Sequence, residues 1–286
     1  LAQNGVSELF LVSENTTSYG KDLGDLKLME KILHEFAEIE GVERVRLSYL
    51  QPAEMRPTLL QAMIETDKVA PYFDLSFQHT SPTVLRRMRR FGGSEQFLHL
   101  ITQIRALSPE AGIRSNFIVG FPGESEEDFQ ATLDICTQAR FAAAYTYQYS
   151  KRPGTPAATM PDQVSPDVVG ERYTRLHEHQ QGLSLSVNKE AVGKSMKVLV
   201  ADYEGRRDSA QSRLTGRSED FRLVHFGNES DARPGDIVDV IIKEASAHYL
   251  IGDAGAVRST RGGDAHEARN RESVKQALLL GMPTIR

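Results

Sequence analysis

Three stretches of this chain place polar side chains and glycines where a run of β-type residues stops. In "FIVGFPGE" (117–124) the run ends at Gly120, with Gly123 and Glu124 close behind. Ligands of parallel α/β folds sit at the carboxyl ends of strands, where loops enter helices. Gly120 and Gly123 would let backbone amides and carbonyls reach a flat ligand edge, and Glu124 could accept from an amine or hydroxyl. A plain helix-entry turn without a ligand is the alternative. "SENTTSYG" (13–20) and "SFQHTS" (76–81) stand at two further strand ends of similar polarity. Three such ends in one sheet read as one binding site.

Other residues could do chemistry but have a plainer reading beside the sharp one. His79 could be a general base or metal ligand, or a hydrogen-bonding structural histidine. Asp74 fits either a pleat-facing carboxylate or a partner for Arg114. Arg86-Arg87-Met88-Arg89-Arg90 could touch phosphate or form a solvated helix end. Cys136 falls on the apolar face of a helix and reads as a core thiol. There is no Walker loop, G-x-S-x-G, H-E-x-x-H or dinucleotide G-x-G-x-x-G, so hydrolase and kinase readings lose their usual handles. No residue is assigned as catalytic and none as a metal ligand.

The elements that would position these residues alternate. Strand patterns at 7–14, 44–50, 72–79, 112–120 and 143–150 are separated by helical patterns, the clearest at Leu26–Ile39 with apolar residues on one face. "SEED" (125–128) predicts a capping box, with Ser125 as N-cap and Asp128 at the third helical position. Such alternation argues a parallel α/β sheet, open or closed into a partial barrel. Pro166 opens a long helix to about Val192. From Gly193 short β-rich pieces (196–201, 222–226, 237–243, 249–251) lie between turn residues, predicting a small all-β barrel of about five strands. The expected domains are 1–192, 193–255 and an irregular tail, 256–286.

The 286 residues can hold one large domain and a small one. No run of eighteen apolar residues exists, so no membrane span is expected. The opening Leu1-Ala2-Gln3-Asn4-Gly5 reads like the last turn of a helix, which suggests a piece of a longer protein. One cysteine excludes a disulfide framework and any multi-cysteine metal site within the chain, and fits a cytoplasmic setting. The net charge of −5 is uneven: from Gly193 onward there are 15 Lys/Arg against 14 Asp/Glu, five of the arginines between Arg206 and Arg222. For nucleic acid this is a modest footprint.

"FIVGFPGE…EDF", "YQYSKRPGTPAATMPDQV", "ERYTRLHEHQ" and "RLTGRSEDFRLVHF" together resemble the radical S-adenosylmethionine (SAM) methylthiotransferases. Up to about residue 129, "ELFLVSENTTSYGKDLGD" and "PYFDLSFQHTSPTVLRRMRRFG" resemble the branch that methylthiolates an aspartate of a small-subunit ribosomal protein. From about Gln130, "ARFAAAYTYQYSKRPGTPAATMPDQV" and "AHYLIGD" resemble the branch that modifies isopentenylated adenosine beside the tRNA anticodon.

The resemblance implies a partial (β/α) barrel of radical SAM type, then a TRAM domain, a small OB-like β-barrel that recognises substrate. It implies S-adenosylmethionine and two 4Fe–4S clusters in the parent protein, whose ligand cysteines this chain does not carry. A 5′-deoxyadenosyl radical would abstract hydrogen from substrate, and the second cluster would supply sulfur. The chain by itself is expected to be inactive. Asn15 and Thr16 are candidates for the methionine end of the cofactor; Gln78, Asn116, Gly120 and Glu124 for its ribose and adenine side. Arg206, Arg213, Arg217 and Arg222 could meet substrate, or form a solvated β-surface. The expected partner is tRNA, with the ribosomal protein as the alternative, and the expected state is a monomer. Two other classes stay open: an RNA-binding module only, and a barrel enzyme in which Glu124 or His79 acts as acid or base.

Overall fold

In the computed structural model, residues 1–202, 213–227 and 231–279 are described, with only the helical backbone given for 273–279. Five parallel strands form the first part. β1 (Glu8–Leu11) pairs with β2 (Arg44–Leu47), and β3 (Tyr72–Gln78) with β4 (Gly112–Val119) and then β5 (Ala143–Gln148). Bridges at Val45–Val69 and Leu50–Leu75 join the two groups into one curved array, a partial (β/α) barrel. The helices α1 (Leu28–Glu38), α2 (Pro57–Glu65), α3 (Pro82–Arg87), α4 (Ser94–Leu107), α5 (Glu126–Ala139) and α6 (Pro166–Lys189) connect or follow the strands.

Side chains alternate across a strand, and here the alternation separates a dry face from a polar one. Val45, Leu47, Phe73, Leu75, Phe77, Ile113, Phe117 and Val119 pack with Leu33, Leu59, Ile104, Phe129 and Cys136 of the helices. Phe77 stacks on Phe97 with ring centroids 4.1 Å apart. The register Glu8–Arg44 and Asp74–Arg114 puts carboxylates and guanidinium groups together on the inner face. The expected capping box is present: Ser125 Oγ accepts from the Asp128 N–H, and Asp128 accepts from the Ser125 N–H.

A closed barrel follows, made of β6 (Ser195–Val200), β7 (Arg213–Ser218), β8 (Leu223–Gly227), β9 (Ile237–Ala245) and β10 (Leu250–Ser259) in the order β10-β8-β7-β6-β9. Its core is Val198, Val200, Val224, Phe226, Val238, Val240, Ile242 and Leu250. The sequence pattern located four of these strands; β7, with four polar residues and a glycine in "RLTGRS", lacks an apolar run and forms because β6 and β8 flank it.

The tail also departs from expectation. Where an irregular segment was expected beyond 255, β10 runs on to Ser259 and α7 (Arg261–Leu279) follows. This helix has no apolar stripe to announce it. Its first half is held by polar contacts to the start of the chain and to the barrel: Arg261 donates to the Ala2 carbonyl, Arg269 to the Asn4 carbonyl, and Arg233 to Asp264 at 2.8 Å. Among the described residues, no helix is long and apolar enough to cross a membrane.

Candidate functional site

The strand ends singled out from the sequence lie together at the carboxyl mouth of the partial barrel, but their side chains are not equally available. Thr16 is buried, its N–H donating to the Tyr49 carbonyl and its hydroxyl to the Ser48 carbonyl at 2.6 Å. It ties the loop after β1 to the end of β2. Asn15 is half-buried; it donates to Glu54 at 3.1 Å and accepts from the Thr17 hydroxyl. Gln78 ends β3 at a positive φ of 65° and donates to Asn116 Oδ1 of β4 at 3.0 Å. Both amides are half-buried, and each keeps one polar atom with no further hydrogen bond among the described residues. Tyr149, just past β5, has a buried hydroxyl likewise without a partner among them.

Glu124 is differently placed. Its carboxylate is buried and held from three sides: Arg172 Nη1 at 2.7 Å on Oε1, the Gly120 N–H at 2.8 Å and His79 Nε2 at 3.3 Å on Oε2. His79 is 1% exposed, and its Nδ1 accepts from the Ser81 N–H at 3.0 Å. The proton therefore sits on Nε2, directed at Glu124. Neither group has an open side for acid–base work. His79 and Glu124 form a structural clasp that joins β3, the 120–124 turn and α6. Gly120, at φ 77°, meets Val169 of α6: a Cβ there would lie 2.3 Å from Val169 Cγ2. Its lack of a side chain is required by that packing.

The inner face between the strand ends is lined by charge. Arg46, fully buried, donates to Glu8 at 2.8 Å, and Arg44 does so at 3.1 Å. Asp74 accepts from the Ser48 hydroxyl, from the Tyr49 N–H at 3.1 Å and from Arg114 at 3.3 Å. Arg114 lies 4.2 Å over the Tyr145 ring. Burial, with the charge of Asp74 added, pushes the Tyr72 phenol up to about 12. Of this network the sequence reading anticipated only Asp74 with Arg114. "RVRLS" carried a signal for the rest, since period-two charge in a strand marks a polar face; nothing local marked Glu8 as its partner.

Of the arginines expected to meet substrate, Arg217 and Arg222 are not on an open β-surface. The β7–β8 turn enters the barrel at the amino ends of its strands, where Phe221 packs against Phe10 and Tyr72 with centroids at 5.3 and 4.9 Å. Arg46 donates to the Glu219 carbonyl at 2.7 Å and the Ser218 carbonyl at 3.1 Å, and Arg44 to the Arg217 carbonyl at 3.3 Å. Arg217 covers the Phe221 ring at 4.8 Å, and Arg222 pairs with Asp220 at 2.6 Å. Both belong to this seam, at the end opposite the Gln78–Asn116 pair. Arg213 is half-buried on β7 and has interactions of its own, and Arg206 lies outside the described residues.

Among the described residues, no group of three or more His, Cys, Asp or Glu is placed to hold a metal ion. Cys136 is fully buried, and burial pushes its thiol pKa up.

Residues 1–136 match the Radical SAM superfamily. The tRNA-2-methylthio-N(6)-dimethylallyladenosine synthase of Acidothermus cellulolyticus is 47% identical over 287 residues, covering 100% of this chain and 57% of that protein. Its namesake from Mycolicibacterium smegmatis is 46% identical over 294 residues, again with 100% and 57% covered. Coproporphyrinogen III oxidase of Escherichia coli, described as a radical SAM enzyme, superposes with a TM-score of 0.48 at 13% identity, over 83% of this chain and 54% of that one. The chain spans about 57% of the length of the Acidothermus relative, and the similarity includes residues 1–129, where the sequence leaned towards the ribosomal-protein branch. Over residues 1–136 the chain matches the Radical SAM superfamily, and from end to end it is similar to the corresponding stretch of such methylthio-forming synthases.

Proposed function

We propose that the protein carrying this chain adds a methylthio group to isopentenylated adenosine beside the anticodon of tRNA, with S-adenosylmethionine held at the carboxyl mouth of the partial barrel. The observation that carries the reading is the 47% identity along the whole chain to a synthase named for that product. The Gln78–Asn116 pair and the Tyr149 hydroxyl keep polar atoms available at or near that mouth, and such atoms suit the ribose and adenine of the cofactor. Asn15, beside the buried Thr16, stands at the mouth for the methionine end. Glu124 and Gly120 contribute by fixing the turn: the carboxylate holds the Gly120 N–H, and the missing Cβ admits Val169.

The closed barrel from β6 to β10 is read as a TRAM domain that docks the RNA. The boundary near residue 192 keeps α6 with the partial barrel. Clusters of the 4Fe–4S type are held by cysteine thiolates, and Cys136 is packed in the core. The side chains of this chain do not fit such a group, so its ligands belong to the remaining length of the protein. A cytoplasmic monomer is the corresponding working unit.

The resemblance of residues 1–129 to the ribosomal-protein branch supports a second reading, in which an aspartate side chain is the substrate. Binding separates the two. This chain, titrated by fluorescence anisotropy against an isopentenylated anticodon stem–loop and against the small-subunit ribosomal protein, is expected to bind the RNA with an affinity that falls steeply with KCl. Binding to the protein alone would overturn the tRNA reading.

A further inference from the structure

The segment between α3 and α4 has no role in the site described above, and its chemistry is distinctive. Four arginines stand in five residues, Arg86, Arg87, Arg89 and Arg90, followed by Phe91-Gly92-Gly93. The end of α3 closes as a Schellman turn: the Arg89 N–H donates to the Arg86 carbonyl at 3.0 Å and the Arg90 N–H to the Leu85 carbonyl at 2.8 Å, with Arg89 left-handed at φ 57°. Such a turn is frequently closed by an apolar residue at the position after the left-handed one, packed back on the helix. Here that position holds Arg90. Phe91, one residue later, is left 80% exposed.

Phe91, Arg86 and Arg90 line one open cavity of about 550 Å³ together with the Gly92-Gly93 backbone, Ser94 and Glu95. Arg90 anchors it to the mouth, donating to Gln51 at 2.8 Å beyond β2 and to the Ser76 carbonyl of β3 at 3.5 Å. Arg87 is turned towards the Pro122 carbonyl and Asp162. Arg86 and Arg89 are exposed and make no ion pair with a described residue; Arg86 donates to the Thr83 hydroxyl at 3.4 Å. An exposed phenyl ring that shares its cavity with Arg86, with Arg89 exposed two positions before it, offers what unpaired nucleotides need: a stacking face for the base and cations for the flanking phosphates.

We infer that Phe91, with Arg86 and Arg89, forms a binding site for an unpaired nucleotide of the RNA substrate, stacked on the phenyl ring beside the mouth of the barrel. This rests on the tRNA reading and adds to it the surface that holds a loop nucleotide while the target base enters. A protein segment seated on the same ring is the competing occupant.

The test compares the chain with its Phe91→Ala, Phe91→Tyr and Arg86→Gln/Arg89→Gln variants, each checked for folding by circular dichroism, in anisotropy titrations of an anticodon stem–loop RNA across a KCl series. Phe91→Ala is expected to weaken binding about tenfold, within the range of one base–aromatic stack, with the salt slope unchanged. Phe91→Tyr should bind like the parent. The double arginine variant should lower the salt slope by about one to two. Parent-like binding by both Phe91→Ala and the arginine variant would overturn this site while leaving the tRNA reading in place. Absence of RNA binding by the unsubstituted chain would overturn both.

Discussion

Arg172 of α6 donates to Glu124 at 2.7 Å with both side chains buried, which fastens the long helix to the turn at the end of β4. The same guanidinium also donates to the Glu124 carbonyl at 3.1 Å and to Glu126 at 3.3 Å. Removing one partner leaves a buried charge uncompensated, at a cost of about 3–5 kcal/mol. Arg172→Met is therefore expected to lower the urea midpoint strongly. The double variant Glu124→Gln/Arg172→Met should recover a substantial part of the loss. Equal loss in single and double variants would show that the pair is not the clasp described.

Gly120→Ala meets two separate obstacles. The backbone is left-handed at φ 77°, and the new Cβ would lie 2.3 Å from Val169 Cγ2. The first costs about 1–2 kcal/mol by itself. Val169→Ala in the same molecule relieves the second and not the first, so chemical denaturation should show partial rescue. A stable Gly120→Ala would mean that this glycine serves only a ligand.

Phe221 is the contact that seats the small barrel under the partial barrel, between Phe10, Tyr72 and the Arg46 guanidinium at 4.7 Å. A fully buried Phe→Ala change costs about 3–5 kcal/mol; Phe221 is half-buried, and on the order of 2 kcal/mol is expected. Calorimetry should show the one unfolding transition of the parent split into two. A single transition at an unchanged midpoint would contradict the seam.

Tyr72 supplies a pH signature. The folded protein keeps a proton up to about pH 12 that the unfolded chain releases near 10. The folded state therefore binds more protons in that window, so stability is unaffected below about pH 10 and falls as pH rises from there to about 12. Tyr72→Phe should flatten that fall in urea midpoints taken at pH 9, 10 and 11. The same slope in both proteins would assign the effect to other groups.

How much of this was legible beforehand follows from where the information sits. The alternation of helix and strand and the Ser125–Asp128 cap are local, and both could be read directly. The mouth could be located because polar residues at the ends of parallel strands converge by topology. What could not be read were partners distant in sequence. Glu124 looks like a ligand residue until Arg172, 48 positions away, is seen to occupy it. Arg217 and Arg222 look like open β-surface until Phe221 is seen inside the larger barrel. The helix α7 has a charged sequence whose stability rests on contacts with Ala2, Asn4 and Arg233.

The central claim is most directly tested by product analysis. A hybrid carries this chain in place of the matching 57% of the Acidothermus relative, with the remainder of that protein unchanged. It is expressed in cells that lack their own synthase, and their tRNA is digested and analysed by nucleoside mass spectrometry. The account predicts 2-methylthio-N6-isopentenyladenosine in place of its unmethylthiolated precursor. Precursor alone, from a soluble hybrid in cells where the intact relative restores the product, would contradict it.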